Sequence, residues 1–292
     1  MTVSDIPASA AVAGQSTSDA TIEAAAAAAL ARRRHLIQAL RALILIVILG
    51  GWEIGARLEL IDPFFVSMPS QIAARIFEWV VEGTSQGSLW YQIWITLEEA
   101  LAGFVIGAFA GIVAGILLGR NRLAADVFSI YIKIANAIPR VVLAPIFIMA
   151  FGLGMASKVA LAFVMVFFVV FANAFQGVRE ADRAMIANAQ ILGASPWQVT
   201  RYVVVPSAMS WIFASLHISF GFAIVGAVVG ELLGSRFGIG QMIAIAQGSF
   251  DAAGVFGGMV VLIFVALAAE YLMTLVENRL VKWRPAAFTE GQ

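Results

Sequence analysis

The chain has 292 residues, of which 61% are hydrophobic and 12% charged, and its 18 basic side chains balance its 18 acidic ones. Soluble domains run about 45–50% apolar and about 25% charged, so this composition belongs to an integral membrane protein. Zero net charge without a basic, aromatic-rich tract argues against nucleic acid as a partner. With no cysteine and two distant histidines, His35 and His217, disulfides, thiolate chemistry and a histidine metal site are not expected.

Residues 1–34 are rich in Ala, Ser and Thr, with acidic residues placed ahead of Arg32, Arg33 and Arg34. A secretory leader has the reverse order, so this stretch reads as a disordered cytoplasmic tail in which the Ala run is able to form helix. Six apolar runs follow, at about 37–57, 92–119, 128–151, 157–177, 208–232 and 254–277. Each approaches the roughly 20 residues needed to cross a hydrocarbon core of about 30 Å. The fold expected is an all-α membrane protein with six transmembrane helices. Between the first two runs, "MPSQIAARIFEWVVEGTSQGSLWYQIW" is amphipathic and charged, so 35–91 reads as one span plus an interfacial segment.

Lys and Arg collect on the cytoplasmic side of membrane proteins. Arg41 joins the basic run before the first span, Arg120 and Arg122 follow the second, and Arg179, Arg183 and Arg201 lie between the fourth and fifth. Arg279, Lys282 and Arg284 follow the sixth, whereas the other side holds only Arg57, Arg75, Lys158 and Arg236. Both termini, including the tail 286–292, are therefore expected in the cytoplasm.

In the second span Gly103, Gly107, Gly111, Gly115 and Gly119 recur every four residues. Such a stripe lets two helices approach closely in lipid, either for tight packing or as a sliding surface beside a moving path. In the third, Pro139 and Pro145 each remove a backbone donor, so a bent or locally unwound helix is expected.

"NAQILGASPWQVTRYVVVP", residues 188–206, is a half-polar segment between apolar runs. Asp182 suits the N-cap of a helix, Gly193 the left-handed position beyond its end, and Ser195 the next N-cap. Pro196 then stands at the first helical position and Gln198 completes a capping box, with Pro206 restarting the chain into the fifth span. Met185, Ile186, Ala189 and Leu192 share one apolar face of the first helix, while Trp197, Arg201 and Val204 project around the turn.

Charges at membrane depth usually face a bundle interior or water. Lys133 lies close enough to a helix end to snorkel. Arg140, after Pro139, sits deeper and could attract an anionic solute or pair with an acidic residue. Asn136 and Asn173 could line a path or bond between helices. Glu231 suits either an interfacial carboxylate or a gate element paired with Arg236 or with a cation elsewhere. Glu98 and Glu99 open the second span where water is available, and no role is assigned to them. No catalytic set such as H-E-x-x-H or G-x-S-x-G is present, so no enzyme activity is expected.

The segment at 180–206 resembles the EAA loop of bacterial ABC-importer permeases, E-A-A, three residues, G, nine residues, I-x-L-P. Ala187, Asn188 and Ala189 stand at its E-A-A positions, Gly193 at its glycine, then Ala194, Ser195 and Trp197, with Val203, Val205 and Pro206 at its end. The spacing from glycine to proline matches in full; the usual glutamate is replaced by Ala187 and the middle alanine by Asn188. "AIPRVVLAPIFIMAFGLGMASK" and "GELLGSRFGIGQMI" extend the resemblance, over about 35–285, to the nitrate/sulfonate/taurine group.

That resemblance implies one N-terminal helix followed by a five-helix core over 92–285, in a bacterial inner membrane. It implies a second permease copy, two cytoplasmic ATP-binding subunits docked on the EAA loop, and an external solute-binding protein. It also places Glu231 near an outer gate and suits an anionic solute drawn by Arg140, Pro139 and Asn136, although the group handles neutral vitamin precursors as well. The chain has no G-x-x-x-x-G-K-[ST] loop, so it binds no cofactor of its own and ATP would be used by the partners. The alternative is an ATP-independent secondary carrier or channel; such carriers often contain inverted repeats, and none is found here.

Overall fold

The structure, a computed structural model, describes residues 8–280. Lys282, Arg284, residues 1–7 and the tail 286–292 lie outside the described residues. The chain divides into two units at Pro63/Phe64. The first is a single helix, α1 (Ala8–Arg57), in which Leu30–Arg57 is long and apolar enough to cross a membrane. The tail expected to be disordered is thus helical from Ala8 and continuous with the span. Alanine is the strongest helix former, so its run extends the helix without needing tertiary contacts. Beyond Arg57 the Leu60 and Ile61 N–H groups both donate to the Gly55 carbonyl, at 2.9 and 3.2 Å, which closes the helix end.

In chain order α2 (Pro63–Val66) precedes α3 (Pro69–Val81), α4 (Leu89–Arg120), α5 (Arg122–Ala137), α6 (Ala144–Phe151) and α7 (Met155–Arg179). Then come α8 (Arg183–Ile191), α9 (Pro196–Val199), α10 (Val205–Leu233), α11 (Ile239–Gly248) and α12 (Ala252–Leu280). Side chains set several of these starts: Ser88 Oγ accepts from the Tyr91 N–H at 3.3 Å to open α4, and Asn121 Oδ1 accepts from the Ala124 N–H at 3.2 Å to open α5. No strand occurs among the described residues, only an isolated bridge between Thr84 and Gly87.

The core is built on the α4–α7 seam. An added Cβ would stand 2.8 Å from the Phe163 carbonyl oxygen at Gly107, 2.9 Å from that of Phe167 at Gly111, and 2.7 Å from Ala174 Cβ at Gly115. At Gly119 it would stand 2.9 Å from Val178 Cβ. The glycine stripe therefore meets the α7 backbone and its Ala and Val side chains in step, and the two helices run parallel. Helix α10 covers α7 from another side and runs antiparallel, with Gly226 against Ala162 and Gly177 against Ala208. Lipid tails are as apolar as leucine, so backbone approach and van der Waals contact hold such helices together. Of the two readings of the stripe, the structure displays close packing.

The third span is broken. Helix α5 and the segment Arg140–Phe151, a 3₁₀ turn at Arg140–Leu143 followed by α6, meet at 81°. Pro139 donates no hydrogen bond and Pro145 sits in the first turn of α6, where its missing N–H costs nothing. Because α4 and α7 are parallel, the bent pair has to carry the chain from the end of α4 back to the start of α7. With that pair counted as one span, the described residues hold six candidate spans. The expected interfacial segment contains α3, whose Trp79 lies against Gly257 of α12.

Candidate functional site

Two sites stand at opposite ends of the α4–α7–α10 bundle. The first is the elbow formed by α8, α9 and the start of α10. Asp182 accepts from the Ala184 N–H at 2.7 Å, and α8 closes with the Ala194 N–H on the Ala189 carbonyl at 3.0 Å. Between them Gly193 has φ +83°, a left-handed conformation that costs a side chain about 1–2 kcal/mol. Ser195 and Gln198 complete a capping box, with the Ser195 N–H on Gln198 Oε1 at 2.7 Å and the Gln198 N–H on Ser195 Oγ at 3.3 Å. Two orphan donors are satisfied reciprocally, so the turn is stiff.

The second helix differs from the sequence expectation. Helix α9, a π turn at Thr200–Val204, and α10 form one run from Pro196 to Leu233, so Pro206 starts no new helix. The turn widens where Pro206 has no N–H for the Tyr202 carbonyl and where its ring would otherwise press on it. The faces differ too. Ile186 and Ala189 pack with Val199 and Val204 into the bundle, so Val204 does not project and the four-residue apolar face is split. Met185, Ile191 (82% exposed), Leu192 (87%) and Trp197 (64%) face outward. Ala187, Asn188, Gly193, Ser195, Arg201 and Pro206 are exposed, and Ala194 is half-buried.

The second site is a buried polar cluster. Gln92, Thr96 and Glu99 on α4 meet Lys158 on α7 and Glu231 on α10, all five buried. Thr96 Oγ1 donates to Glu231 Oε1 at 2.7 Å and accepts from the Ile239 N–H at 2.9 Å. Glu231 Oε2 accepts from the Gly240 N–H at 2.6 Å, and Gln92 Oε1 accepts from the Gly238 N–H at 2.7 Å. Glu231 thus caps the start of α11 from the preceding helix, while Thr96 and Gln92 cap it from the distant α4. Gly238, at φ +106°, is required because any Cβ there would overlap the Glu231 carboxyl group.

Lys158 donates to the Leu153 and Gly154 carbonyls. Glu231 is therefore not paired with Arg236; the Thr96 hydroxyl and the Gly240 N–H hold it instead, because α11 folds back onto it, and Lys158 is the cation of the cluster. Glu99, expected in water, is buried at 3% exposure, and its Oε2 has no partner among the described residues. The signal was available in the sequence: Gln92, Thr96 and Glu99 continue the helical stripe that Gly103 begins, so they share its buried side.

Arg140 stands apart from both sites. Its Nη2 donates to Asn136 Oδ1 at 2.8 Å across the break after Pro139, and its guanidinium lies 5.3 Å from the Phe168 ring. Neither contact is a carboxylate. Asn173 donates to the Val169 carbonyl of its own helix at 2.8 Å. No group of three or more His, Asp or Glu able to hold a metal occurs among the described residues.

A bundle of long apolar helices with a broken span and a rigid elbow between two of them is the architecture of an integral membrane protein. The chain belongs to the binding-protein-dependent transport system inner membrane component family, which matches residues 103–282. It is 33% identical over 239 residues, 82% of this chain and 88% of the relative, to the riboflavin transport system permease protein of Chloroflexus aurantiacus. To the taurine transport system permease protein of Escherichia coli it is 29% identical over 240 residues, 82% of this chain and 87% of that protein. A putative aliphatic sulfonates transport permease protein of Bacillus subtilis is 29% identical over 238 residues, 82% of this chain and 85% of the relative. In fold it is similar to a chain of the MetNI methionine ABC transporter in an inward-facing conformation, with a TM-score of 0.56 and 20% identity, covering 66% of this chain and 96% of that one.

Proposed function

We propose that the chain is one of two permease copies in an ATP-driven importer of a small, anionic solute delivered by an external binding protein. The elbow end faces the cytoplasm, where two ATP-binding subunits dock on it. The observation that carries the reading is the elbow itself: a doubly capped turn fixed by Gly193, with Ile191, Leu192 and Trp197 turned outward. An element that does not deform transmits the motion of a docked partner to the helices behind it. Here those helices are directly attached, since α9 continues without a break into α10. Ala187 in place of the family glutamate leaves shape and apolar contact to do the docking.

At the other end, the Glu231 cluster ties α4, α7, α10 and α11 together and serves as the outer gate. Arg140, oriented by Asn136 and Phe168, provides the positive charge along the path. Alternating access follows when ATP-driven closure of the partners favours one arrangement of the two permease copies over the other.

The test is Gly193→Pro in the reconstituted importer. Proline fixes φ near −65°, opposite in sign to the +83° of Gly193. Membrane insertion is expected to persist while ATP hydrolysis no longer responds to the loaded binding protein. Normal stimulation in this variant rules out the elbow as the docking element.

A further inference from the structure

Behind the elbow lies a cavity of about 460 Å³, bounded by the ends of α4, α5 and α7 and roofed by α8 and α9. Its lining includes Arg120, Arg179 and Arg183 against one carboxylate, Asp126. Arg179 Nη2 lies 3.6 Å from Asp126 Oδ1, and its guanidinium sits 5.6 Å from the Phe175 ring. Arg120 and Arg183 have no carboxylate within salt-bridge reach among the described residues. Three guanidinium groups against one carboxylate leave a surplus of two positive charges around one cavity. The hydroxyl of Thr200 is engaged, donating to the Pro196 carbonyl at 2.8 Å.

The remaining wall carries Gln190 and Thr200 and an apolar part in which Val178, Val199 and Val204 form a buried floor. Basic pockets between transmembrane helices at a membrane face favour anionic headgroups. Inorganic phosphate would satisfy the guanidinium groups but leave the valine floor against water, whereas a glycerophosphate presents charge and hydrocarbon together. We propose that this cavity binds the phosphate headgroup of an anionic phospholipid, with Arg120 and Arg183 holding the phosphate and the valine floor taking the glycerol and first acyl carbons. A lipid there bridges the elbow roof to the bundle ends. Its binding depends only on insertion in the bilayer; an effect on ATP coupling also rests on the reading of the elbow proposed above.

The permease is purified from nanodiscs of mixed phosphatidylglycerol and phosphatidylcholine, and bound lipid is read by native mass spectrometry. One phosphatidylglycerol per permease is expected to be retained in preference to phosphatidylcholine, and millimolar inorganic phosphate is expected not to displace it. The double variant Arg120→Gln/Arg183→Gln, at two exposed positions, should retain it about 25-fold less, at about fivefold per arginine. Equal retention of phosphatidylcholine, full retention by the double variant, or displacement by inorganic phosphate each overturns the assignment. The second measurement is co-purification of the ATP-binding subunits with the permease from the same nanodiscs. A permease that retains the lipid but assembles with no ATP-binding subunit refutes the elbow reading and leaves the lipid site standing.

Discussion

Thr96→Val isolates the hydroxyl on which the Glu231 cluster turns. Valine keeps the shape of threonine but has no hydroxyl. The change removes the 2.7 Å bond to Glu231 and leaves the Ile239 N–H, now held at 2.9 Å, without its acceptor. Both Glu231 and Ile239 are fully buried, so water does not replace what is lost. A hydrogen bond to a charged group contributes about 1.5–3 kcal/mol, and an orphaned buried N–H costs about 1–3 kcal/mol. Together they predict a loss of about 2.5–6 kcal/mol.

The assay is reversible unfolding of the purified protein in mixed micelles by increasing detergent, with Thr96→Ser as the control. Serine keeps the hydroxyl and gives up one methyl group, for a loss of about 1 kcal/mol. A Thr96→Val protein within about 0.5 kcal/mol of wild type, or a serine variant as weak as the valine one, refutes the reasoning.

Three further outcomes are expected. Gly111→Leu drives a side chain into the Phe167 carbonyl, where even a Cβ would stand 2.9 Å away, and should cost about 1–3 kcal/mol or more in the same unfolding assay; wild-type stability would mean that α4 and α7 do not meet this closely. Ser195→Ala removes the cap of α9 and should cost about 1 kcal/mol, read as a lowered midpoint of thermal unfolding, with an unchanged midpoint showing that the capping box does not hold the turn. Arg140→Ala, assayed by solute uptake into proteoliposomes with the ATP-binding subunits and binding protein, should reduce transport about tenfold or more; unchanged rate and apparent affinity remove Arg140 from the path.

Much of the fold was legible because local chemistry and periodicity encode it. The caps at Asp182 and Ser195 and the left-handed Gly193 could be read from residue type alone, since each satisfies groups within a few residues of itself. The spans followed from hydropathy, and the break near Pro139 from the missing donor. The π turn before Pro206 was not legible. A proline signals a disturbed helix but does not decide between a fresh start and a widened turn, and here the packing of Val199 and Val204 on Ala208 keeps the axis continuous. The tail carries two signals at once: a low-complexity composition, and an alanine run whose propensity supports helix.

The sequence by itself determined that the chain lies in a membrane, how many times it is able to cross, and that a stiff elbow interrupts the crossings. Those properties depend on composition, run length and contacts between near neighbours. Only the tertiary structure decided that Glu99 meets Lys158 and Glu231, that Glu231 caps α11 in preference to pairing with Arg236, and that Arg120 and Arg183 border one cavity. Each of these joins residues from different helices, and their meeting depends on the parallel seam of α4 and α7 and the return of α11. Hydropathy specifies how deep a residue lies but not which neighbour it faces; that choice is made by the packing of one helix on another.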